Sequence, residues 1–128
     1  MTETLLFLHL LSAAVLFAGM AGLSARVLGA DVGAGSLRVF YGLWNGGAAG
    51  VLIFGIWLAL NIDDYGILDA WILTAIVLWA AAGGVVEMAL ASYRDSTGAV
   101  PARAASLHWI GVAMIVLLFA DMVWKPWA

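Results

Sequence analysis

The chain has 128 residues, 66% of them hydrophobic and 10% charged, and its mean hydropathy is +1.08. A soluble domain of this length buries too little of its surface to hide so many apolar side chains, and a disordered chain would need low hydrophobicity and high charge. The net charge of −3 argues against a nucleic-acid partner, and the lack of cysteine excludes disulfides and thiolate metal sites. An integral membrane protein remains.

Long apolar segments follow one another along the chain, each near the ~20 residues that a helix needs to cross a bilayer. We predict helices over residues 4–26, 38–60, 67–92 and 102–125. Transmembrane β-strands would alternate apolar and polar residues, whereas these segments are almost continuously apolar. Because the connections are short, the sequence predicts an all-α, polytopic integral membrane protein in which residues 1–128 form one antiparallel four-helix transmembrane bundle.

The first segment lacks the basic start of a signal peptide, so we predict that it stays in the mature chain. It carries His9 in its first turns, and a glycine-rich loop then leads to the second segment. The second segment has glycine at every fourth position, namely Gly42, Gly46 and Gly50. Small residues at this spacing let a neighbouring backbone approach closely in lipid, so these glycines are predicted to pack against another helix.

A turn-forming stretch at residues 61–66 leads to the third segment, which carries Glu87 near its end. Pro101 stands where a helix begins without losing a needed backbone donor, and His108 follows in the first turns of the fourth segment. Ionisable side chains inside a bilayer are costly, so His9, Glu87 and His108 are candidate functional residues. A hydrogen bond that only holds helices together is the competing interpretation for each histidine.

Basic residues are distributed unequally between the two ends of the predicted bundle. Four arginines lie on the side away from the termini, whereas Lys125 is the basic residue on the terminal side; the arginines are Arg26, Arg38, Arg94 and Arg103. Short loops rich in arginine and lysine stay in the cytoplasm. We therefore predict a protein of the bacterial cytoplasmic (inner) membrane, surrounded by the lipid bilayer, with both termini outside.

The polar residues inside the segments form two layers at different depths. His9 lies at the depth of Met122, while Glu87, His108 and Asn45 lie near the cytoplasmic side. At about 1.5 Å per residue the two histidines are roughly 20 Å apart along the membrane normal. The two histidines of one chain therefore cannot both bind the iron of a single haem, because each axial nitrogen lies about 2 Å from the metal and the pair are only about 4 Å apart. We predict instead a contact between Glu87 and His108, direct or through one water, with Asn45 nearby.

Three features occur in a characteristic order: His9 early in the first helix, Gly22 and then Arg26 at its far end, and Lys125 followed by proline closing the fourth helix. In these places the chain resembles small bacterial membrane proteins around the HemJ protoporphyrinogen oxidase, including CopD-like and uncharacterised relatives. The resemblance implies a four-helix core that binds b-type haem through His9. It also implies that Arg26 and Lys125 are family positions.

At residues 67–69 the chain reads Ile-Leu-Asp where HemJ itself has a basic position, so the resemblance favours the uncharacterised relatives and leaves enzymatic activity open. The first functional prediction is a haem-b-binding membrane protein in electron transfer or haem handling. In this prediction His9 binds the haem iron, and Met122 at the same depth is a candidate second ligand. The resemblance adds Arg26 as a cofactor-binding residue.

Two other functions fit the same composition. One is a non-catalytic accessory subunit of a larger respiratory or transport complex, or a homo-oligomer, which the small size and the glycine spacing favour. The other is a small copper transporter that uses Glu87 and His108, although no closely spaced methionine or histidine motif supports it.

Overall fold

The computed structural model describes residues 1–95 and 98–125, and four long helices make up most of this part of the chain. The helices are α1 (Thr2–Val27), α2 (Ala34–Leu60), α3 (Ala70–Tyr93) and α4 (Ala102–Trp124). The described chain is all-α, and each helix is long and apolar enough to cross a membrane. The prediction of four such helices is confirmed.

Two helix starts differ from the sequence-based boundaries by three residues or more. α2 begins at Ala34, before the predicted residue 38, because the Gly33 carbonyl accepts the Leu37 N–H at 2.9 Å and the Leu37 side chain is buried in the core. α3 begins at Ala70, after the predicted residue 67. The Asp69 carboxylate accepts the Gly66 N–H at 3.0 Å and so holds the preceding residues in a turn.

α1 and α2 pack along most of their length as the first of two close helix pairs. A Cβ added at Gly19 would lie 2.7 Å from the Phe40 carbonyl oxygen, whereas one added at Gly55 would lie 2.9 Å from His9 Cε1. The early part of α1 therefore meets the late part of α2, and the two helices run in opposite directions. Glycine at these contacts lets the backbones approach closely.

α3 and α4 form the second close pair. Gly111 of α4 faces Val86 of α3, and at the far end Met122 packs against a cluster that contains Ile72. These helices also run in opposite directions, since late residues of one meet early residues of the other.

Fewer contacts join the two pairs. The rings of Phe17 on α1 and Phe119 on α4 are 4.7 Å apart, and the indole N–H of Trp79 on α3 donates to the Ala48 carbonyl on α2 at 2.9 Å. Looser packing between the pairs leaves the space in which pockets form.

Large apolar side chains coat the outside of the molecule. Phe7, Val77 and Val116 are each more than half exposed in the isolated chain. By contrast, Arg26 and His108 are buried. Helices that are apolar on all sides are typical of chains surrounded by lipid.

The glycines that pack α2 against α1 differ from those predicted. A Cβ added at Gly42 or Gly46 would meet no other part of the described chain within 4 Å, so the prediction that these two pack against a helix of the same bundle is wrong. Gly47 instead lies against the Leu16 backbone, and a Cβ at Gly50 would lie 2.8 Å from Ser12 Cβ. Each residue turns an α-helix by about 100°, so a one-residue difference moves a glycine off the contact face.

Candidate functional site

A pocket of about 370 Å³ opens at the end of the molecule where α1 and α3 begin and α2 and α4 end. All four helices contribute to its wall, which is largely apolar and aromatic and includes Trp71, Trp79 and Phe119. His9, Met122 and Lys125 also line it, and they are described in turn below. Mostly apolar walls with a few convergent polar groups are typical of small-molecule and cofactor sites.

The orientation of the His9 ring is set by α2. Its Nδ1 lies 3.1 Å from the carbonyl oxygen of Val51. A carbonyl oxygen can only accept, so Nδ1 carries the hydrogen and donates it, which leaves Nε2 of the neutral ring with a free lone pair. Gly55 packs against the ring, and because it has no side chain it leaves room for the imidazole. Metal-binding histidines commonly hold their second ring nitrogen on a backbone carbonyl in this way.

Met122 brings a thioether to the same pocket from α4. Its side chain packs against the buried cluster of Ala59, Trp71 and Ile72. The structure therefore brings His9 and Met122 to one pocket, as their equal predicted depth requires. A thioether is a ligand that haem iron accepts opposite histidine.

Lys125 places a positive charge at the edge of this pocket. It ends α4 in the left-handed conformation, with φ of 45°, and its backbone N–H donates to the Asp121 carbonyl. Its ammonium group donates to the Tyr65 hydroxyl and lies 4.4 Å and 4.7 Å from the ring centroids of Tyr65 and Trp71. Aromatic faces attract such a cation and hold it in place.

Arg26 lies at the opposite end of α1, roughly 25 Å from His9 along the helix axis at about 1.5 Å per residue. Its guanidinium donates to the Gly98 carbonyl at 2.5 Å and stands 5.9 Å from the Tyr93 ring centroid. Arg26 is therefore not part of the pocket beside His9, and this side chain instead holds the residues after α3 against α1.

The second histidine is fully buried between helices. The Nε2 atom of His108 lies 2.8 Å from the hydroxyl oxygen of Ser24 on α1. This hydrogen bond crosses between the two helix pairs, so it gives His108 a role in holding them together.

Glu87 has a different partner from the one predicted. Its Oε2 accepts from the Tyr41 hydroxyl of α2 at 3.3 Å, while His108 is bonded to α1, so the predicted direct hydrogen bond between Glu87 and His108 is wrong. The residue of α3 that faces α4 is Val86, against Gly111. Glu87 is one position further around the helix, by about 100°, and lies on the side of α2.

Asn45 is near Glu87, as predicted, but without His108. The two residues line a groove of about 310 Å³ between α2 and α3. The Asn45 amide donates to the Tyr41 carbonyl of its own helix at 3.0 Å. Glu87, Asn45 and Tyr41 therefore form a separate polar group on one side of the molecule.

Sequence reasoning missed the groups that position these side chains. Val51 acts through its main-chain oxygen, for which no side-chain signal exists. Gly55 stands eight residues after Gly47 on one face of α2, and that spacing is a signal that would have indicated the packing face. Ser24 and Tyr41 are polar residues near segment ends, where an interfacial position is the simpler expectation.

Within the part of the chain that the structure describes, no three histidine, cysteine, aspartate or glutamate side chains stand close enough to hold a metal ion together. Comparisons with protein families, curated proteins and solved structures find no match to this chain. The functional argument therefore depends on the geometry of the sites themselves.

The Ser24–His108 bond leads to a stability prediction. We expect Ser24→Ala to destabilise the protein by about 0.6 kcal/mol and by no more than about 1.7 kcal/mol, the mean and the maximum for hydrogen bonds between helices of a membrane-protein bundle. The double variant Ser24→Ala, His108→Leu should lose less than the sum of the single changes, because it leaves no buried imidazole without a partner. Thermal unfolding of the four proteins in one detergent measures this. Strict additivity would show that the hydrogen bond contributes nothing.

Proposed function

We propose that this protein is an antiparallel four-helix transmembrane bundle that binds haem b in the pocket beside His9 and acts in electron transfer or haem handling. The observation that carries the proposal is the hydrogen bond between His9 Nδ1 and the Val51 carbonyl, because it leaves Nε2 available to bind iron. Histidine in this tautomer, against an apolar pocket, is suited to a proximal haem ligand.

The chemistry of the pocket fits the group. Haem contributes four nitrogens of its own, so one or two side chains complete the coordination of its iron. His9 would hold the iron, with Met122 as the candidate second ligand, and the apolar wall suits the macrocycle. Lys125 at the rim offers a positive charge that would pair with a carboxylate of the haem. When bound, haem supplies one-electron redox chemistry.

The test is an absorption spectrum of the purified protein after expression with haem supplied. We expect a Soret band with a stoichiometry near one haem per chain, and a shift of that band on reduction. A colourless preparation from haem-replete cells would overturn the proposal.

Placement in a bacterial cytoplasmic membrane, with both termini outside, is part of the same proposal. It is supported by the four apolar helices, by their exposed apolar side chains, and by the positive-inside rule applied to the exposed residues Arg38, Arg94 and Arg103. The His9 pocket then lies toward the outer side of the membrane, since it is at the other end of the helices.

Because the chain contains no cysteine, single-cysteine variants test this orientation without further engineering. Asp64→Cys, between α2 and α3, is expected to react with a membrane-impermeant maleimide in intact cells. Asp31→Cys, between α1 and α2, should react only after the membrane is opened. Both positions are exposed in the chain, so burial does not account for a difference. The reverse pattern would invert the orientation.

A second candidate function, an accessory subunit of a larger membrane complex, is favoured by one observation. Gly42 and Gly46 lie exposed on α2 with open space beside them, so another helix can approach this face closely. Retention of a large partner complex when the protein is purified from its native membrane would support this function. Isolation as a single species would exclude it.

A further inference from the structure

A second concave site, the groove between α2 and α3, does not include His9, although Trp79 lines both this groove and the His9 pocket. The volume of the groove is about 310 Å³, and Trp44 and Trp79 are among the residues that line it. Two of its lining residues, Ala49 and Ile53, are exposed on the outer surface of the helices. The groove therefore opens sideways, toward the lipid of the proposed membrane, and admits a ligand dissolved there.

Glu87 is the ionisable side chain among the described residues that line this groove. Its Oε2 accepts a hydrogen bond from Tyr41, the titratable group that faces it from α2. Its Oε1 is buried and has no hydrogen-bond partner within residues 1–95 and 98–125. The neighbouring Asn45 is neutral, so no positive side chain lining the groove balances the carboxylate.

We propose that this groove binds a lipophilic organic cation. A carboxylate in a medium of low dielectric constant is stabilised strongly by a cation beside it, and an isolated one is costly. Indole rings attract cations within about 6 Å, and Trp79, which is partly exposed, brings one to the groove, while Trp44 is a buried part of its wall. Charge, aromatic walls and lateral access thus define one ligand class: a positive charge on an apolar, aromatic body.

The ring of Trp79 is held in place before any ligand arrives. Its N–H donates to the Ala48 carbonyl at 2.9 Å, so the indole is fixed across the gap between α3 and α2. Gly83, which has open space beside it, leaves room next to Glu87. A bare Ca²⁺ or Mg²⁺ ion is a poorer match, because each takes six or more oxygen ligands and the groove offers few.

The experiment measures binding of N-methyl-4-phenylpyridinium to the purified full-length protein by equilibrium dialysis. We expect saturable binding that falls at least tenfold in Glu87→Gln and several-fold in Trp79→Phe. Glu87→Asp, which keeps the charge, should retain more affinity than Glu87→Gln. Glu3→Gln removes an exposed acidic residue at the other end of the molecule and should leave binding unchanged.

A neutral compound of the same shape, 4-methylbiphenyl, distinguishes a cation site from an apolar cavity. It should not displace the cation at equal concentration. Displacement by the neutral compound, or equal affinity in wild type and in a folded Glu87→Gln variant, would overturn the proposal. The haem proposal is tested separately, because His9→Ala should bind the cation as wild type does.

Discussion

Gly47→Ala is expected to destabilise the protein by about 1–3 kcal/mol, the usual range for forcing an extra group into a packed interior. The new Cβ would lie 2.5 Å from Leu16 Cα and collide with the Leu16 backbone nitrogen. Both atoms belong to the main chain of α1, so no side-chain rotation relieves the clash. α1 and α2 would have to separate along the length over which they pack.

The matched control is the neighbouring glycine. Gly46 is exposed with open space beside it, so a methyl group there meets nothing, and alanine is favoured over glycine inside a helix by roughly 0.5–1 kcal/mol. Gly46→Ala should therefore leave stability unchanged or raise it. Thermal unfolding in detergent micelles compares the two. A Gly47→Ala variant that melts at or above wild type would show that α1 and α2 do not meet on this face.

His9→Ala is expected to remove the haem absorption completely, because it deletes the imidazole that would bind the iron. The Val51 carbonyl and Gly55 stay in place, so the variant leaves a space shaped for an imidazole ring. Added free imidazole should therefore restore part of the band. Ser12→Ala serves as the control, since Ser12 bonds only to the Leu8 carbonyl of its own helix among the hydrogen bonds described.

Met122→Leu tests whether Met122, on the other side of the pocket, binds the iron or only packs against its neighbours. Leucine fills similar space against Trp71 and Ile72, so folding should be preserved. If Met122 binds the iron, the variant should keep haem but show an altered spectrum and a lower potential, since methionine ligation raises it. For the first ligand, full haem retention with an unchanged spectrum in His9→Ala would contradict the assignment of His9 to the iron.

Length and hydropathy were enough to predict the four long apolar helices, because both quantities are sums over local segments. The equal depth of His9 and Met122 could also be predicted, since depth follows from counting residues along a helix of known rise. The predicted starts of α2 and α3 were less accurate. The observed starts, Ala34 and Ala70, depend on a buried leucine and on a turn closed by an aspartate.

Which face of each helix points inward depends on how the helices pack together. These helices are apolar all around, so no polar stripe marks the outer side, and Gly42, Gly46 and Gly47 were indistinguishable by composition. The same ambiguity about rotation concealed that Glu87 is bonded to Tyr41 of α2 and His108 to Ser24 of α1. The positioning of His9 depends on a main-chain carbonyl of another helix, and a main-chain group is identical in every residue. Such contacts are determined by how the helices pack against each other.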